Sequence, residues 1–244
     1  MTARGVPGKC TAGETKKTLL ICDLDGTLVD SYPGIAEALR HACRTVGVEP
    51  RIPLDQSIVG PPLDDLLRSV TGKDSVSELL LLREAFVAFY DSGACYLSQP
   101  FAGVSEMLES VHANGHTLSL ATNKRLLPTT KLLGHLRWRN YFREIETVDS
   151  QPAKHRSKTQ ILTDILQTSA GHSRVVYLGD TSLDQQAAAT AGIPFIIAAW
   201  GETTGYGPAP VPGDWHRAAA PSAVLPLLNG LVAESYQAKA GLGR

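Results

Sequence analysis

Residues 19–30 read LLICDLDGTLVD, an apolar run that ends in two carboxylates and a glycine. The first four residues are apolar without alternation, which predicts a strand that is buried on both faces in a parallel sheet. Asp23 and Asp25 are two positions apart, so an extended chain would turn both side chains to the same side. Gly26 then permits a sharp turn that a residue with a Cβ would resist. The stretch therefore predicts a buried strand that carries two acids at its carboxyl end.

Paired acids at the end of a strand indicate a possible reaction site. Open α/β sheets bind their ligands outside the carboxyl ends of the strands. Two neighbouring carboxylates repel each other unless they share a cation or one of them holds a proton. One reaction uses both solutions, because a carboxylate attacks phosphorus beside Mg²⁺ while its neighbour gives a proton to the leaving alcohol. The pattern D-x-D-G also suits an ordinary polar turn, since Asp and Gly are common turn residues, so both interpretations stay open at this point.

Length and composition exclude several classes of protein. The chain has 244 residues, of which 43% are hydrophobic, so it can bury a substantial core. Its formal net charge is −1 with the charges scattered, which predicts neither a nucleic acid nor a membrane as partner. The four cysteines form no C-x-x-C pair, and no window is long enough to span a membrane, so we expect a reduced, cytoplasmic protein. Residues 1–17 lack an apolar signal region and are predicted to be a loose leader.

The remaining chain has two kinds of pattern. After Asp30 only helices are predicted, at residues 35–46, 63–70 and 76–90, so residues 32–98 are interpreted as a small helical cap. Further on, strands are predicted at residues 116–122, 145–148, 174–178 and 195–200, with helices between them. A surface loop is predicted at 201–213 and a closing helix at 223–232. Five strands with long crossovers predict an α/β fold with a doubly wound parallel sheet, the first strand near its centre, built from residues 18–31 and 99–244.

Polar side chains follow two other predicted strands. Thr122, Asn123 and Lys124 come where a helix is about to start, which suits a phosphate oxygen but also an ordinary polar loop. Asp180 and Asp184 follow a later strand, where the second acid could also cap a helix. Lys154 or Lys158 could balance this acidity, although a single lysine is usually a solvated surface group. The order of these groups along the chain is more specific than any one of them.

This set of motifs resembles the haloacid dehalogenase superfamily, and within it the phosphoglycolate phosphatase-like members. The likeness extends from about residue 19 to residue 231. It rests on a helical cap directly after the first motif and on DLDGTLVDS at 23–31, VGPPL at 59–63, PFAGV at 100–104, LATNK at 120–124, GDTSLD at 179–184 and AGIP at 191–194. The resemblance implies an Mg²⁺-dependent phosphatase that passes through an aspartyl-phosphate intermediate.

The resemblance also implies a role for each polar residue. Asp23 would be the nucleophile and a Mg²⁺ ligand, and Asp25 would be the general acid and base, with its backbone carbonyl touching the metal. Asp180 would complete the protein's share of the metal shell, with Asp184 in or just outside that shell. Thr122 would hydrogen-bond the transferring phosphoryl group. The further residues expected to bind phosphate or substrate are Gly26, Asn123, Gly60, Pro61 and Gly103.

Two lysines are candidates for the active-site lysine. Many relatives carry this lysine in the context K-P-x-P, whereas residues 151–162 here read QPAKHRSKTQIL. Ser157 can cap a helix that opens with Lys158 and has an apolar face, so core packing would fix the position of Lys158. Lys154 has no such anchor. We therefore predict that Lys158 is the lysine that pairs with the acids.

Three functions remain open at this stage. Asp25 favours a phosphatase over a dehalogenase, because expulsion of an alkoxide needs a proton donor. A phosphomutase of the same superfamily would carry a histidine where this chain has Ile35. A non-enzymatic protein that binds a phosphorylated ligand is the third alternative. We expect the partner to be a small phosphorylated metabolite, such as a phosphoglycolate-like ester, a sugar phosphate or a nucleoside monophosphate, and the protein to be a monomer or a homodimer.

Overall fold

A parallel sheet of six strands forms the centre of the computed structural model, which describes residues 17–151, 155–172, 174–201 and 215–231. The strand order is β5-β4-β1-β6-β7-β8, so β1 lies inside the sheet. Every neighbouring pair is parallel, which confirms the predicted doubly wound α/β sheet with its first strand near the centre. The strands are β1 (Thr18–Cys22), β4 (Thr117–Thr122), β5 (Phe142–Thr147), β6 (Arg174–Gly179), β7 (Phe195–Ala198) and β8 (Trp215–Ala218).

Helices cover both faces of this sheet. On one face pack α4 (Val104–Ala113), α5 (Leu126–His135) and a last helix, α8, at residues 224–231. On the other face pack α6 (Lys158–Thr168) and α7 (Ser182–Ala191). Strand β1 contributes Leu20 and Cys22 to the first apolar cluster and Leu19 and Ile21 to the second. Because side chains alternate along a strand, this run without polar residues is buried on both sides.

Two features of the sheet differ from the sequence prediction. Strand β5 begins at Phe142, where a strand had been predicted only from Ile145. Strand β8 was not predicted at all, because it is a short strand at the edge of the sheet and only Ala218 in it is fully buried. The predicted leader and surface loop lie outside the described residues, apart from Lys17 and Gly201.

A helical insert joins the sheet through two short crossings. It comprises α1 (Tyr32–Val46), α2 (Leu63–Thr71) and α3 (Val76–Ser92), which share a separate apolar cluster with no member from the sheet. The crossings β2 (Val29–Asp30) and β3 (Gln99–Pro100) pair with each other in an antiparallel fashion. The chain therefore leaves the core and returns to it at one place. None of the described helices is long and apolar enough to cross a membrane.

Candidate active site

The two acids after β1 are buried and have different partners. Asp23 is 4% exposed, and its backbone N–H donates to the carbonyl of Leu178, 2.9 Å away, which extends the pairing of β1 with β6 by one residue. Asp25 is 9% exposed. The carboxylate of Asp23 accepts a hydrogen bond from Lys158, whereas that of Asp25 accepts one from Lys124. The two acids are thus neighbours along the chain but belong to separate charge clusters.

Asp23 lies in a cluster of three buried acids that could hold a metal ion. One carboxylate oxygen from each of Asp23, Asp180 and Asp184 lies within 4.8 Å of the others. Gly26, with a φ of 83°, leaves space beside this cluster, because a Cβ there would lie 2.3 Å from Oδ2 of Asp180. The hydroxyl of Thr27 donates to Oδ1 of Asp180 at 2.7 Å and fixes that carboxylate. Clustered carboxylate oxygens are the ligands that Mg²⁺ prefers, so the donor set fits the predicted cation.

Burial determines the charge state of Asp23 in the protein without metal. Removal from water raises the pKa of Asp23 to about 8, because Lys158 lowers it less than burial, Asp184 and Asp180 together raise it. Burial alone would lower the pKa of Lys158, because it disfavours the charged ammonium group. The nearby carboxylates of Asp184 and Asp23 outweigh this effect and hold the pKa of Lys158 above its ordinary value. A divalent cation would add the positive charge that an ionised Asp23 needs.

Asp184 has a dense set of hydrogen bonds. Its Oδ1 accepts from the hydroxyl of Tyr177 at 2.7 Å and lies 3.0 Å from Nζ of Lys158. Its Oδ2 accepts from the backbone N–H and the hydroxyl of Thr181, which form a capping box at the start of α7. Burial alone would raise the pKa of Asp184, but Lys158 and the two hydroxyls hold it below its ordinary value. These four donor groups equal the number of lone-pair sites on a carboxylate. Asp184 therefore both caps α7 and pairs with Lys158.

Lys158 lies at the edge of the acid cluster, where the sequence had suggested it. Its Nζ is 2.7 Å from Oδ1 of Asp23 and also donates to the hydroxyl of Tyr177 and the carbonyl of Ala121. Ser157 caps α6, as expected, in a capping box with Gln160. The other candidate, Lys154, lies outside the described residues.

A second buried lysine, Lys124, was considered from the sequence only as a group for a phosphate oxygen, and its partners were not predicted. Nζ of Lys124 lies 2.9 Å from Oδ1 of Asp25 and 2.5 Å from the hydroxyl of Tyr90, on the insert. Burial alone would lower the pKa of Lys124, but Asp25 and Tyr90 raise it above the ordinary value. Arg125 makes a bidentate ion pair with Asp91, also on the insert. The motif LATNK named Lys124, but nothing in the local sequence shows that α3 would return to meet it.

The residues expected to bind phosphate have different positions. Thr122 is 1% exposed at the end of β4, and Asn123 donates from its side chain to the carbonyl of Gly60 at 3.2 Å. Gly60 and Pro61 line a cavity beside Asp25. Gly103 precedes α4 as its N-cap, with a φ of 86° that favours glycine, and the atoms nearest to its Cβ position belong to Pro221.

Two spaces open next to these groups. The smaller is a cavity of about 70 Å³ between Asp25, Lys124 and the insert, with an otherwise mostly apolar lining that includes Ile35 and Phe86. The larger is an open groove of about 750 Å³ that reaches Asn123 and Lys158 and lies between α2, the start of α6 and one side of α7. The cavity reaches Asp25 and the groove reaches Lys158, whereas Asp23, Asp180 and Asp184 line neither space.

The fold and this site define a class: α/β proteins with buried acids at the ends of parallel strands and a helical insert over them. A family model described as haloacid dehalogenase-like hydrolase matches residues 20–198. The chain belongs to the haloacid dehalogenase-like hydrolase family.

Individual relatives carry different names. The tyrosine-protein kinase PtkA of Mycobacterium tuberculosis is 32% identical over 185 residues, which are 75% of this chain and 62% of that protein. The chain thus spans less than two thirds of that kinase. A phosphoglycolate phosphatase of Rhodobacter capsulatus is 30% identical over 205 residues, which are 82% of this chain and 90% of that protein.

Solved structures agree on the fold. The structure of PtkA from Mycobacterium tuberculosis is 28% identical, has a TM-score of 0.70 and covers 90% of this chain and 99% of its own. A predicted phosphoglycolate phosphatase from Haemophilus somnus has a TM-score of 0.75 at 22% identity, over 88% of this chain and 100% of its own. At that identity the likeness concerns the fold alone.

Proposed function

We propose that the protein is an Mg²⁺-dependent phosphatase that hydrolyses a small phosphomonoester through an aspartyl-phosphate on Asp23. The observation that carries this proposal is the separation of the two acids after β1. Asp23 shares its surroundings with Asp180, Asp184 and Lys158, whereas Asp25 faces a cavity under the insert. A nucleophile and a proton donor need such different surroundings.

The residues divide the reaction between them. Asp23 attacks phosphorus and the bond to the leaving oxygen breaks, while Asp25 gives that oxygen a proton. Asp25 then takes a proton from the water that attacks the aspartyl-phosphate, and inorganic phosphate leaves. Lys158 offsets negative charge on the phosphoryl oxygens, and Thr122 and Asn123 orient them. Asp23, Asp180 and the backbone carbonyl of Asp25 would hold Mg²⁺, which supplies charge neutralisation, with Asp184 just outside the metal shell.

The lining of the cavity favours hydrolysis over a mutase reaction. Ile35 lies in the wall of the cavity beside Asp25 and is 8% exposed. An aliphatic side chain cannot carry a proton between a substrate and Asp25. The space beside Asp25 is small, about 70 Å³, which favours an ester with a small leaving group. The name of the Rhodobacter capsulatus relative supports a phosphoglycolate-like ester first.

The experiment is a set of initial rates on phosphomonoesters with Mg²⁺. The panel contains phosphoglycolate, small sugar phosphates and nucleoside monophosphates, with Asp23→Asn as the control. We expect release of inorganic phosphate from at least one small ester, lost in excess chelator and in the variant. Failure to hydrolyse any ester, or full activity in chelator, would overturn the proposal.

The likeness to PtkA requires one further arm of this experiment. A tyrosine kinase would move the terminal phosphoryl group of ATP to a tyrosine hydroxyl, whereas a phosphatase delivers phosphoryl groups to water. Incubation with ATP labelled on its terminal phosphate separates the two outcomes. We expect no label on tyrosine; label on tyrosine without phosphatase activity would assign the kinase reaction instead.

A further inference from the structure

Three consecutive side chains between β4 and α5 contact the insert. Asn123 donates to the carbonyl of Gly60 at 3.2 Å, Lys124 to the hydroxyl of Tyr90 at 2.5 Å, and Arg125 to both carboxylate oxygens of Asp91. In addition, Nζ of Lys131, further along α5, donates to the backbone carbonyl of Asp91 at 2.8 Å. The core thus holds the end of α3 through several polar contacts, of which the one at Lys124 is also connected to the reaction site.

Lys124 connects the insert to Asp25. Its Nζ lies 2.9 Å from Oδ1 of Asp25, and the side chains of the pair are only 5% and 12% exposed. A buried ammonium group needs partners for its hydrogen bonds, and here one partner is on the core and the other, Tyr90, is on α3. If Tyr90 moved away with the insert, Lys124 would lose one of the two contacts that hold its Nζ in place.

The position of this contact matters for proton transfer. Proton transfer needs the carboxyl oxygen within hydrogen-bond reach of the leaving oxygen, so the rotation of the Asp25 carboxyl group must be fixed. A hydrogen bond from Lys124 to Oδ1 fixes it, at the wall of the small cavity where the leaving group would lie. Because the ammonium group of Lys124 contacts Oδ1, Oδ2 is the oxygen that would give and take the proton.

We propose that Lys124 is a positioning residue that orients Asp25 for proton transfer, and that Tyr90 makes this orientation depend on the seated position of the insert. The proposal rests on the phosphatase function proposed above. Closure of the insert would then complete the proton donor as well as exclude water, and an ester bound under an open insert would react slowly.

The test compares two esters that differ in their need for a proton. An alkyl phosphate has a poor leaving group and needs a proton from Asp25, whereas an activated aryl phosphate does not. Lys124→Met keeps most of the length of the side chain and removes its charge. We expect it to lower kcat by about 10²-fold on the alkyl ester and far less on the aryl ester, as Asp25→Asn should. Lys73→Met is the matched control, because Lys73 pairs with Glu78 inside the insert at 2.6 Å, and it should leave both rates unchanged.

A second variant keeps the proposal testable if Lys124→Met does not fold. Tyr90→Phe removes one hydroxyl and retains the ring. We expect a loss of about tenfold that is again confined to the alkyl ester, since one hydrogen bond to a charged group is lost. Hydrogen exchange near the end of α3 should also become faster, which is a readout that does not depend on turnover.

The possible outcomes distinguish failure of the positioning role of Lys124 from failure of the proposed phosphatase function. Equal losses on the two esters, or no loss in Tyr90→Phe, would overturn the positioning role while the phosphatase assignment stands. A wild-type protein that hydrolyses no ester of the panel described above would overturn the phosphatase function itself.

Discussion

Lys158 is the cation at the edge of the acid cluster, with its Nζ 2.7 Å from Asp23 and 3.0 Å from Asp184. Removing its charge should raise the barrier to attack, because negative charge on Asp23 and on the phosphoryl group would no longer be offset. We predict that Lys158→Ala lowers kcat/KM by about 10²-fold or more, while Lys154→Ala has little effect. Initial rates of the two variants at saturating Mg²⁺ decide the question, and a larger loss in Lys154→Ala would reverse the assignment.

The pKa of Asp23 gives metal binding a defined dependence on pH. Burial raises this pKa from 3.8 to about 8, so without metal the carboxyl group is protonated in the folded state over a range where it is ionised in the unfolded chain. Its contribution to stability is therefore full below about pH 4 and is lost as the pH rises through about 8. We predict that Mg²⁺ raises the Tm more at about pH 8 than at about pH 5, where a proton competes for the same oxygen.

The control for this prediction is Asp23→Asn, which has no proton to exchange with the metal. In that variant the difference between the two pH values should shrink. An equal rise in Tm for the wild-type protein at both pH values would contradict the pKa assigned to Asp23.

At the level of residues, local signals predicted part of the site and missed the rest. Ser157, Lys158 and Gln160 belong to one helix start, so the sequence alone could place Lys158 at the beginning of α6. The contact of Lys124 with Tyr90 joins residues 34 positions apart, across the boundary of the insert. Periodicity within single helices carries no information on such a contact.

At the level of elements, an ion pair and a further hydrogen bond join the end of α3 to the region of α5. Arg125 and Asp91 have side chains that are only 17% and 13% exposed, so their ion pair is little screened by water. We predict that Arg125→Gln leaves Asp91 without its charged partner and loosens the insert. Hydrogen exchange should become faster in the crossings, at residues 28–31 and 97–101, and KM should rise.

The comparison variant for this experiment is Arg40→Gln. Arg40 pairs with Glu37 on the exposed face of α1, at 3.5 Å, and a surface pair of this kind contributes little. Exchange in the crossings that is the same in both variants would show that the ion pair between α3 and α5 does not seat the insert.

Among the elements, length and burial decided which were predictable. The strands inside the sheet are apolar runs next to helices with clear apolar faces, and their order along the chain was predicted. Strand β8 has four residues, of which Trp215, His216 and Arg217 are only partly buried, so its pattern does not differ from that of a polar loop. The short pair β2–β3 was not predicted for a related reason, because two residues per strand show no periodicity.

For the whole molecule, the fold limits the reaction without deciding it. Relatives with the same architecture carry the names of a kinase and of phosphatases, so the assignment depends on the site. In this chain the core supplies the acids, Lys158 and the end of β4, while the insert supplies Tyr90 and the wall of the small cavity. The space beside Asp25 is thus lined by residues of both parts, and the contact of Lys124 with Tyr90 joins the two parts at that point.

The most direct test of this account is the search for a phosphoenzyme on Asp23. The wild-type protein is mixed with a labelled substrate and Mg²⁺, quenched in acid within one turnover, digested and examined by mass spectrometry. The account predicts a phosphoryl group on the peptide that contains residues 19–30, attached to Asp23, stable in acid and released by hydroxylamine. It also predicts that Asp23→Asn has no label. Turnover in the wild-type protein with no trapped phosphoryl group, or with the group on another residue, would contradict the account.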